Sequence, residues 1–462
     1  MRTVRWLLAT TMTASLALLG LVPTTAQAAP ATRYDGALPN GATWIADVPA
    51  NWNGTLLLYS HGYNPSPINP PVNSPDPATA EALLARGYAL AGSSYSRSGW
   101  VADTAARDQL DTLRAVSALI GRPHRAIALG TSFGGMITGQ LAERDGERLD
   151  GAVATCGLMG GGIDLHNYQL DGSHAIARLL LAGQDVKLVH FTDPAEAGAT
   201  ADRMVAALDQ AQATPEGRAR VALITALFQE PTWVRGQPKP APTDIEAQQV
   251  GRYQNLRTIL PFILFGRFDT EQSAGGNPSW NKGVNYARQL TESGLLPQVA
   301  RLYRRAGVDL RADLNLLTRT ANVSADPAAY GWMRRTSALT GRLDMPVLTL
   351  HTTNDDLVPV QHEEEYADDV RGSGSAALLR QAYTDRPGHC AFTTAELVAA
   401  VATMDERIET GRWDGLADPQ RMQALADSLG LGSAAFVGFR APEFLGDRPA
   451  PRLLPERPRE SP

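Results

Sequence analysis

Two stretches of the chain alternate short apolar runs with amphipathic segments, and a long helical stretch separates them. Thr55-Leu56-Leu57-Leu58-Tyr59 and Ala126-Ile127-Ala128-Leu129 are too short and too uniformly apolar for surface helices, so they read as strands buried on both faces. Tyr88 to Ser93, Leu149 to Thr155, Pro346 to His351 and Ala377 to Tyr383 extend the set. Ala42 to Val48 alternates apolar with polar residues before Pro49, so Gly36 to Asn53 reads as a hairpin. Between the strands lie helical patterns at Ala78 to Arg86, Ala102 to Ile120 and His362 to Arg371. Thr393 to Arg407 and Pro419 to Ser428 follow them. Within Ala102 to Ile120, Leu110, Leu113, Val116 and Leu119 recur at helical spacing. Strands alternating with helices at these lengths predict an α/β fold: a doubly wound, mostly parallel sheet with helices on both faces.

The alternation stops at Cys156. Residues 157–342 read as helical, and they are too many for a loop, so a second, mostly α domain is expected there. Its aromatic residues, among them Tyr168, Phe262 and Trp280, are assigned to that domain's own core. The expected organisation is a leader over 1–28, a core from 29–156 and 343–440, the helical insertion, and an irregular Pro- and Arg-rich tail over 441–462.

Composition then narrows the partners. With 44% hydrophobic residues the 462-residue chain has ample material to bury. Arg2 and Arg5 precede an apolar stretch from Trp6 to Val22, and Ala26-Gln27-Ala28 follows it. This is the pattern of a secretory signal peptide cleaved near Ala28, so the mature protein is expected outside the cell without a stable membrane anchor. Loss of Arg2 and Arg5 takes the formal charge from −6 to −8, which disfavours a nucleic-acid partner.

Gly130-Thr131-Ser132-Phe133-Gly134-Gly135 joins a predicted strand to a predicted helix. Such a turn puts a serine at its apex with the hydroxyl exposed. Asp355, in Asn354-Asp355-Asp356-Leu357-Val358-Pro359, and His389, in Gly388-His389-Cys390, each follow a later predicted strand. In a doubly wound sheet those loops share one edge. The chemistry accounts for each residue type. A serine hydroxyl is a poor nucleophile until a histidine takes its proton, and a carboxylate orients the imidazole and stabilises its charge. Ser132 is the expected nucleophile, His389 the base and Asp355 the acid, with the adjacent Asp356 as the alternative acid. The intermediate's oxyanion needs two backbone N–H groups, assigned to Phe133 and Tyr63. His61 and His351 read as structural histidines. No cofactor and no metal are expected, because neither the histidines nor the two cysteines have ligand spacing.

The motifs Ser60-His61-Gly62-Tyr63, Gly130 to Gly135, Asn354 to Pro359 and Gly388-His389-Cys390 resemble those of the α/β-hydrolase superfamily, especially secreted bacterial serine esterases. The resemblance covers roughly residues 40–156 and 343–407. It implies an eight-stranded sheet with a helical cap inserted after the sixth strand, and hydrolase activity. In that fold Cys156 and Cys390 lie near the same sheet edge, so a Cys156–Cys390 disulfide is expected in an exported chain.

The resulting expectation is a secreted serine hydrolase of carboxylic esters, working through an acyl-enzyme on bulky or apolar small-molecule or polymer-end substrates. Two alternatives remain open. One is a secreted exopeptidase or amidase on the same fold, for which Asp269-Thr270-Glu271 supplies candidate amine-binding carboxylates, although solvated loop charges are the commoner meaning of such a run. The other is a non-catalytic binding protein. The residues do not specify an oligomeric state.

Overall fold

The computed structural model describes residues 31–144, 148–445 and 448–451. The expected leader, 1–28, lies outside the described residues. Nine strands form one sheet: β1 (Ala31–Ala37), β2 (Thr43–Pro49), β3 (Thr55–Ser60), β4 (Ala89–Ser93), β5 (Arg125–Thr131), β6 (Gly151–Thr155), β7 (Val347–Asn354), β8 (Leu379–Pro387) and β9 (Phe436–Val437). Their order is β1-β2-β4-β3-β5-β6-β7-β8-β9. Strands β3 to β8 pair in parallel, while β1, β2 and β9 add antiparallel edges. The sheet is thus mostly parallel, as expected, but it has nine strands rather than eight and antiparallel pairing at both edges. The ninth strand is only two residues long, and no apolar run announced it. The hairpin also begins earlier than its residues predicted, at Ala31, where β1 is largely exposed and lacks an apolar signature.

Helices α1 (Pro77–Ala85), α2 (Ala105–Ile120) and α3 (Phe133–Arg144) alternate with the first strands. Between β6 and β7 come α4 (Gly161–Leu179), α5 (Pro194–Gln212), α6 (Pro215–Leu227), α7 (Ile245–Ala274), α8 (Tyr286–Glu292), α9 (Leu296–Ala306), α10 (Leu310–Thr320) and α11 (Pro327–Thr336). Then follow α12 (His362–Gly372), α13 (Thr394–Thr410) and α14 (Pro419–Leu429). Several helices begin where an Asp or Thr precedes a Pro. Asp76, Asp193 and Thr214 each accept a backbone N–H of the first turn, and the proline that follows has no N–H to satisfy.

Alternate residues of the central strands enter two different cores, which is why their sequences are apolar throughout. Leu56 and Leu58 of β3 join one cluster with α2 and α3, whereas Leu57 and Tyr59 join the other with α1 and α13. The first cluster runs on without interruption into the helices between β6 and β7, through Leu165, Ile176, Leu223 and Leu260. The described residues after Ala441, 442–445 and 448–451, lack helix and strand yet are anchored. Phe444 and Leu445 are buried, and Arg448 pairs with Asp171 at 2.8 Å.

Register places the functional loops. Ser60 of β3 lies beside Gly130 of β5, Thr131 beside Thr155 of β6, and Asn354 of β7 beside Pro387 of β8. The turns that follow these strands therefore open on a single edge of the sheet.

Candidate active site

Ser132 sits between β5 and α3 with φ of 60°, a left-handed conformation that is strained for a non-glycine residue. Its N–H is held by the Thr155 carbonyl at 2.9 Å. The neighbouring glycines are required by contact: a Cβ on Gly134 would strike the Ser60 carbonyl, and one on Gly130 the Gly134 carbonyl. The turn can thus press against β3 and leave the hydroxyl facing a cavity.

Across that cavity His389 Nε2 lies 2.8 Å from Ser132 Oγ, and His389 Nδ1 lies 2.8 Å from Asp355 Oδ2. Three side chains from three loops form one hydrogen-bonded chain. Asp355 Oδ1 accepts the N–H groups of Leu357 and Val358 at 2.9 and 2.8 Å, which leaves Oδ2 for the imidazole. Asp356 lies elsewhere: its Oδ1 accepts the backbone N–H of His389 at 2.8 Å, so it touches the histidine's main chain and not its ring. Cys156 and Cys390 are joined in a disulfide with their Cα atoms 5.3 Å apart. It ties the end of β6 to the residue after His389. Both sulfurs that stand beside His389 are therefore committed to one another.

A second histidine stands behind the carboxylate. His351 Nε2 is 3.0 Å from the Val358 carbonyl and 3.3 Å from Asp355 Oδ2, while Nδ1 is 2.9 Å from Glu363 Oε1. Carbonyl and carboxylate oxygens face both ring nitrogens, an environment that favours the doubly protonated, cationic ring. Burial opposes that charge, but hydrogen bonds and attraction from Asp355 and Glu363 outweigh it and raise His351 to about 10. Burial likewise opposes the charge on Asp355, yet the two histidines hold its carboxyl well below the usual range. The neighbouring His362 is driven down to about 3, first by burial and then by the charge on His351. The sequence marked His351 only as the end of an apolar strand; its partner Glu363 lies one helix away, and no spacing rule links the two.

The loop after β3 is braced as well. The His61 ring stacks on Tyr95, with centroids 4.1 Å apart, and its Nδ1–H donates to the Gly62 carbonyl at 2.7 Å. Tyr95 Oη–H donates to the His61 carbonyl at 3.0 Å. Because N–H and C=O point oppositely across a trans peptide, holding the Gly62 carbonyl on His61 turns the Tyr63 N–H to the other side. Gly62, Tyr63, Ser132, Phe133 and His389 all line one cavity of about 270 Å³.

One face of α7 closes the cavity: Phe262, Gly266 and Thr270, four residues apart, all line it. Asp269 fastens that helix to the sheet edge, accepting the Tyr63 hydroxyl at 2.8 Å and the Trp100 N–H at 2.9 Å. Asp269-Thr270-Glu271 is therefore helical, not a solvated loop. Its two carboxylates have partners within the protein, since Glu271 lies 3.2 Å from the Phe191 N–H and 3.8 Å from Arg267.

Chemically, a serine bonded to an imidazole bonded to a carboxylate can lose its proton while attacking a carbonyl carbon. No family model matches the chain. It is 28% identical over 452 residues to the o-phthalyl amidase of Xanthobacter agilis, a match that spans 89% of this chain and 96% of that one. Solved structures similar to it include an esterase from Aspergillus oryzae, with a TM-score of 0.37, 14% identity and coverage of 82% of this chain and 80% of that chain. Tannin acyl hydrolase from Aspergillus niger gives a TM-score of 0.36 at 15% identity, covering 82% of this chain and 78% of that chain. Among the described residues no helix is long and apolar enough to cross a membrane.

Proposed function

We propose that the protein is an exported serine hydrolase that cleaves the carboxylic ester or amide bond of a bulky, flat acyl group through an acyl-enzyme. The observation that carries this reading is the unbroken chain from Ser132 Oγ through both nitrogens of His389 to Asp355, at 2.8 Å per link. His389 takes the serine proton during attack and returns it to the leaving alcohol or amine, then repeats the cycle with water. Asp355 holds the tautomer and balances the imidazolium. The N–H groups of Phe133 and Tyr63 receive the oxyanion. Helices α4 to α11 act as the cap, with α7 walling the acyl site in aromatic and aliphatic side chains.

Within this reading amide cleavage is favoured by the 28% likeness to an amidase along almost the whole chain. The triad serves both leaving groups, so bond type is a matter of measurement. The exopeptidase variant is weakened because Asp269 and Glu271 already have partners. Export rests on residues 1–28 and is supported by the disulfide.

The deciding experiment compares p-nitrophenyl esters of increasing acyl size with benzoyl and aminoacyl p-nitroanilides, using wild type and Ser132→Ala. Turnover of aromatic acyl substrates that vanishes in the variant supports the proposal. Activity equal in both proteins, or none with any substrate, refutes it.

A further inference from the structure

The cavity beside Ser132 has apolar walls and two polar groups without partners. Trp100, Phe133, Leu165, Phe262 and Leu357 supply flat and aliphatic surface. His166 of α4 and Thr270 of α7 line the same space, and they are 2% and 0% exposed. Neither ring nitrogen of His166 makes a hydrogen bond, and neither does Thr270 Oγ1. Buried polar groups in a folded protein are satisfied in the great majority of cases, so two orphans facing one cavity call for a partner from outside the chain.

The surroundings fix what kind of partner fits. Arg267, itself buried, donates through Nη2 to the His166 carbonyl at 2.6 Å and through Nη1 to Ser279 Oγ at 2.8 Å. Burial first, and then the Arg267 charge, keep the His166 ring neutral; the Gly162 carbonyl one turn back acts the other way but lies outside hydrogen-bond geometry. A neutral imidazole offers one N–H, and a threonine hydroxyl offers one O–H that can rotate. Each can donate to an oxygen that enters the cavity.

We propose that His166 and Thr270 form an oxygen-reading subsite, in which the imidazole N–H and the threonine O–H bind an oxygen substituent on the ring of an aromatic acyl group held between the apolar walls. This rests on the acyl-hydrolase reading of Ser132 and names the substrate class of that site. A hydroxyl and a carboxylate share the accepting oxygen, and the assay separates them. An acyl ring without the oxygen leaves both donors buried and unpaired, and sites built this way discriminate strongly against such analogues.

The test measures kcat/KM for methyl benzoate, the methyl 2-, 3- and 4-hydroxybenzoates, and the monomethyl esters of phthalate, isophthalate and terephthalate. Wild type, Thr270→Val and His166→Phe are compared. Thr270→Val keeps the shape and guards against a misfolded His166 variant. In wild type at least one oxygenated ester should exceed benzoate by about 10- to 100-fold, and that ratio should fall about tenfold or more in Thr270→Val. A preference for a hydroxybenzoate assigns a neutral oxygen, and a preference for a monoester of a diacid assigns an anion. Benzoate matching every oxygenated ester in wild type, or a ratio unchanged in both variants, overturns the proposal. A separate arm titrates Ser132→Ala with benzoate, the hydroxybenzoates and the dicarboxylates by calorimetry. If no ester is turned over, the hydrolase reading fails on its own, while tighter binding of an oxygenated acid that is lost with Thr270→Val still supports the subsite.

Discussion

Replacing His351 by Gln removes a positive charge from behind the proposed catalytic acid while leaving a hydrogen-bonding side chain in its place. In the wild type, His351 Nε2 lies 3.3 Å and His389 Nδ1 lies 2.8 Å from the same Asp355 oxygen, so the two nitrogens are at most about 6 Å apart. Two unit charges at about 6 Å repel by roughly 0.7 kcal/mol at the dielectric constant of water and roughly 3 kcal/mol at an effective value near 20. The imidazolium that forms on His389 during attack feels this repulsion, and Asp355 screens it. Besides Asp355, Glu363 and His362 of α12 face His351, and Glu230 acts on Asp355 from the insertion. Removing the charge should move the acidic limb of the kcat/KM profile upward by about 0.5 to 2 pH units, since 1.4 kcal/mol corresponds to about one unit. The rate above that limb should fall less than tenfold. Stability supplies a second readout. A histidine raised to about 10 when folded, against an ordinary 6.5, contributes most below pH 6.5 and loses that contribution as pH rises towards 10. The wild-type Tm should therefore decline across that window more steeply than that of His351→Gln. An acidic limb that stays put or moves downward would refute the charge assigned to His351.

Asp355→Asn should reduce kcat by about 10³- to 10⁴-fold, because the amide cannot hold the required tautomer. Asp356→Asn, which alters only a contact to the His389 backbone, should cost less than about tenfold; steady-state kinetics on one chromogenic ester ranks the two. Cys156→Ser with Cys390→Ser opens a link between residues 234 apart in the chain and should lower stability by about 2 to 5 kcal/mol in urea titration. Retention of full stability would show that the disulfide does not constrain the unfolded chain. Tyr95→Phe removes the bond to the His61 carbonyl and should lower kcat by about 3- to 30-fold with little change in KM, part of what losing an oxyanion donor outright would cost. A change in KM alone would remove Tyr95 from that role.

The strands that carry the site were readable because they are buried on both faces and so leave an uninterrupted apolar run, as in Leu56-Leu57-Leu58. The elements that escaped notice lie at the sheet's margins. Exposed β1 and two-residue β9 are specified by pairing with a neighbour, not by their own composition. Ser132, Asp355, His389 and the two cysteines stood out because each follows a recognisable strand end. His351 and Glu363 meet, and His166 and Thr270 come to line one cavity, only through tertiary folding. They come from different elements, and nothing in local spacing relates them. Asp269-Thr270-Glu271 carries the mark of solvated loop charges in sequence, whereas α7 turns Thr270 towards the cavity and gives both carboxylates internal partners.

The central claim is that His389 activates Ser132 as a nucleophile. Intact-mass and peptide mass spectrometry after exposure to a fluorophosphonate measures this directly. The account predicts one covalent adduct, mapped to Ser132, absent in Ser132→Ala and formed at least about 10³-fold more slowly in His389→Ala. No adduct on folded wild type, or an adduct on another residue, would contradict it.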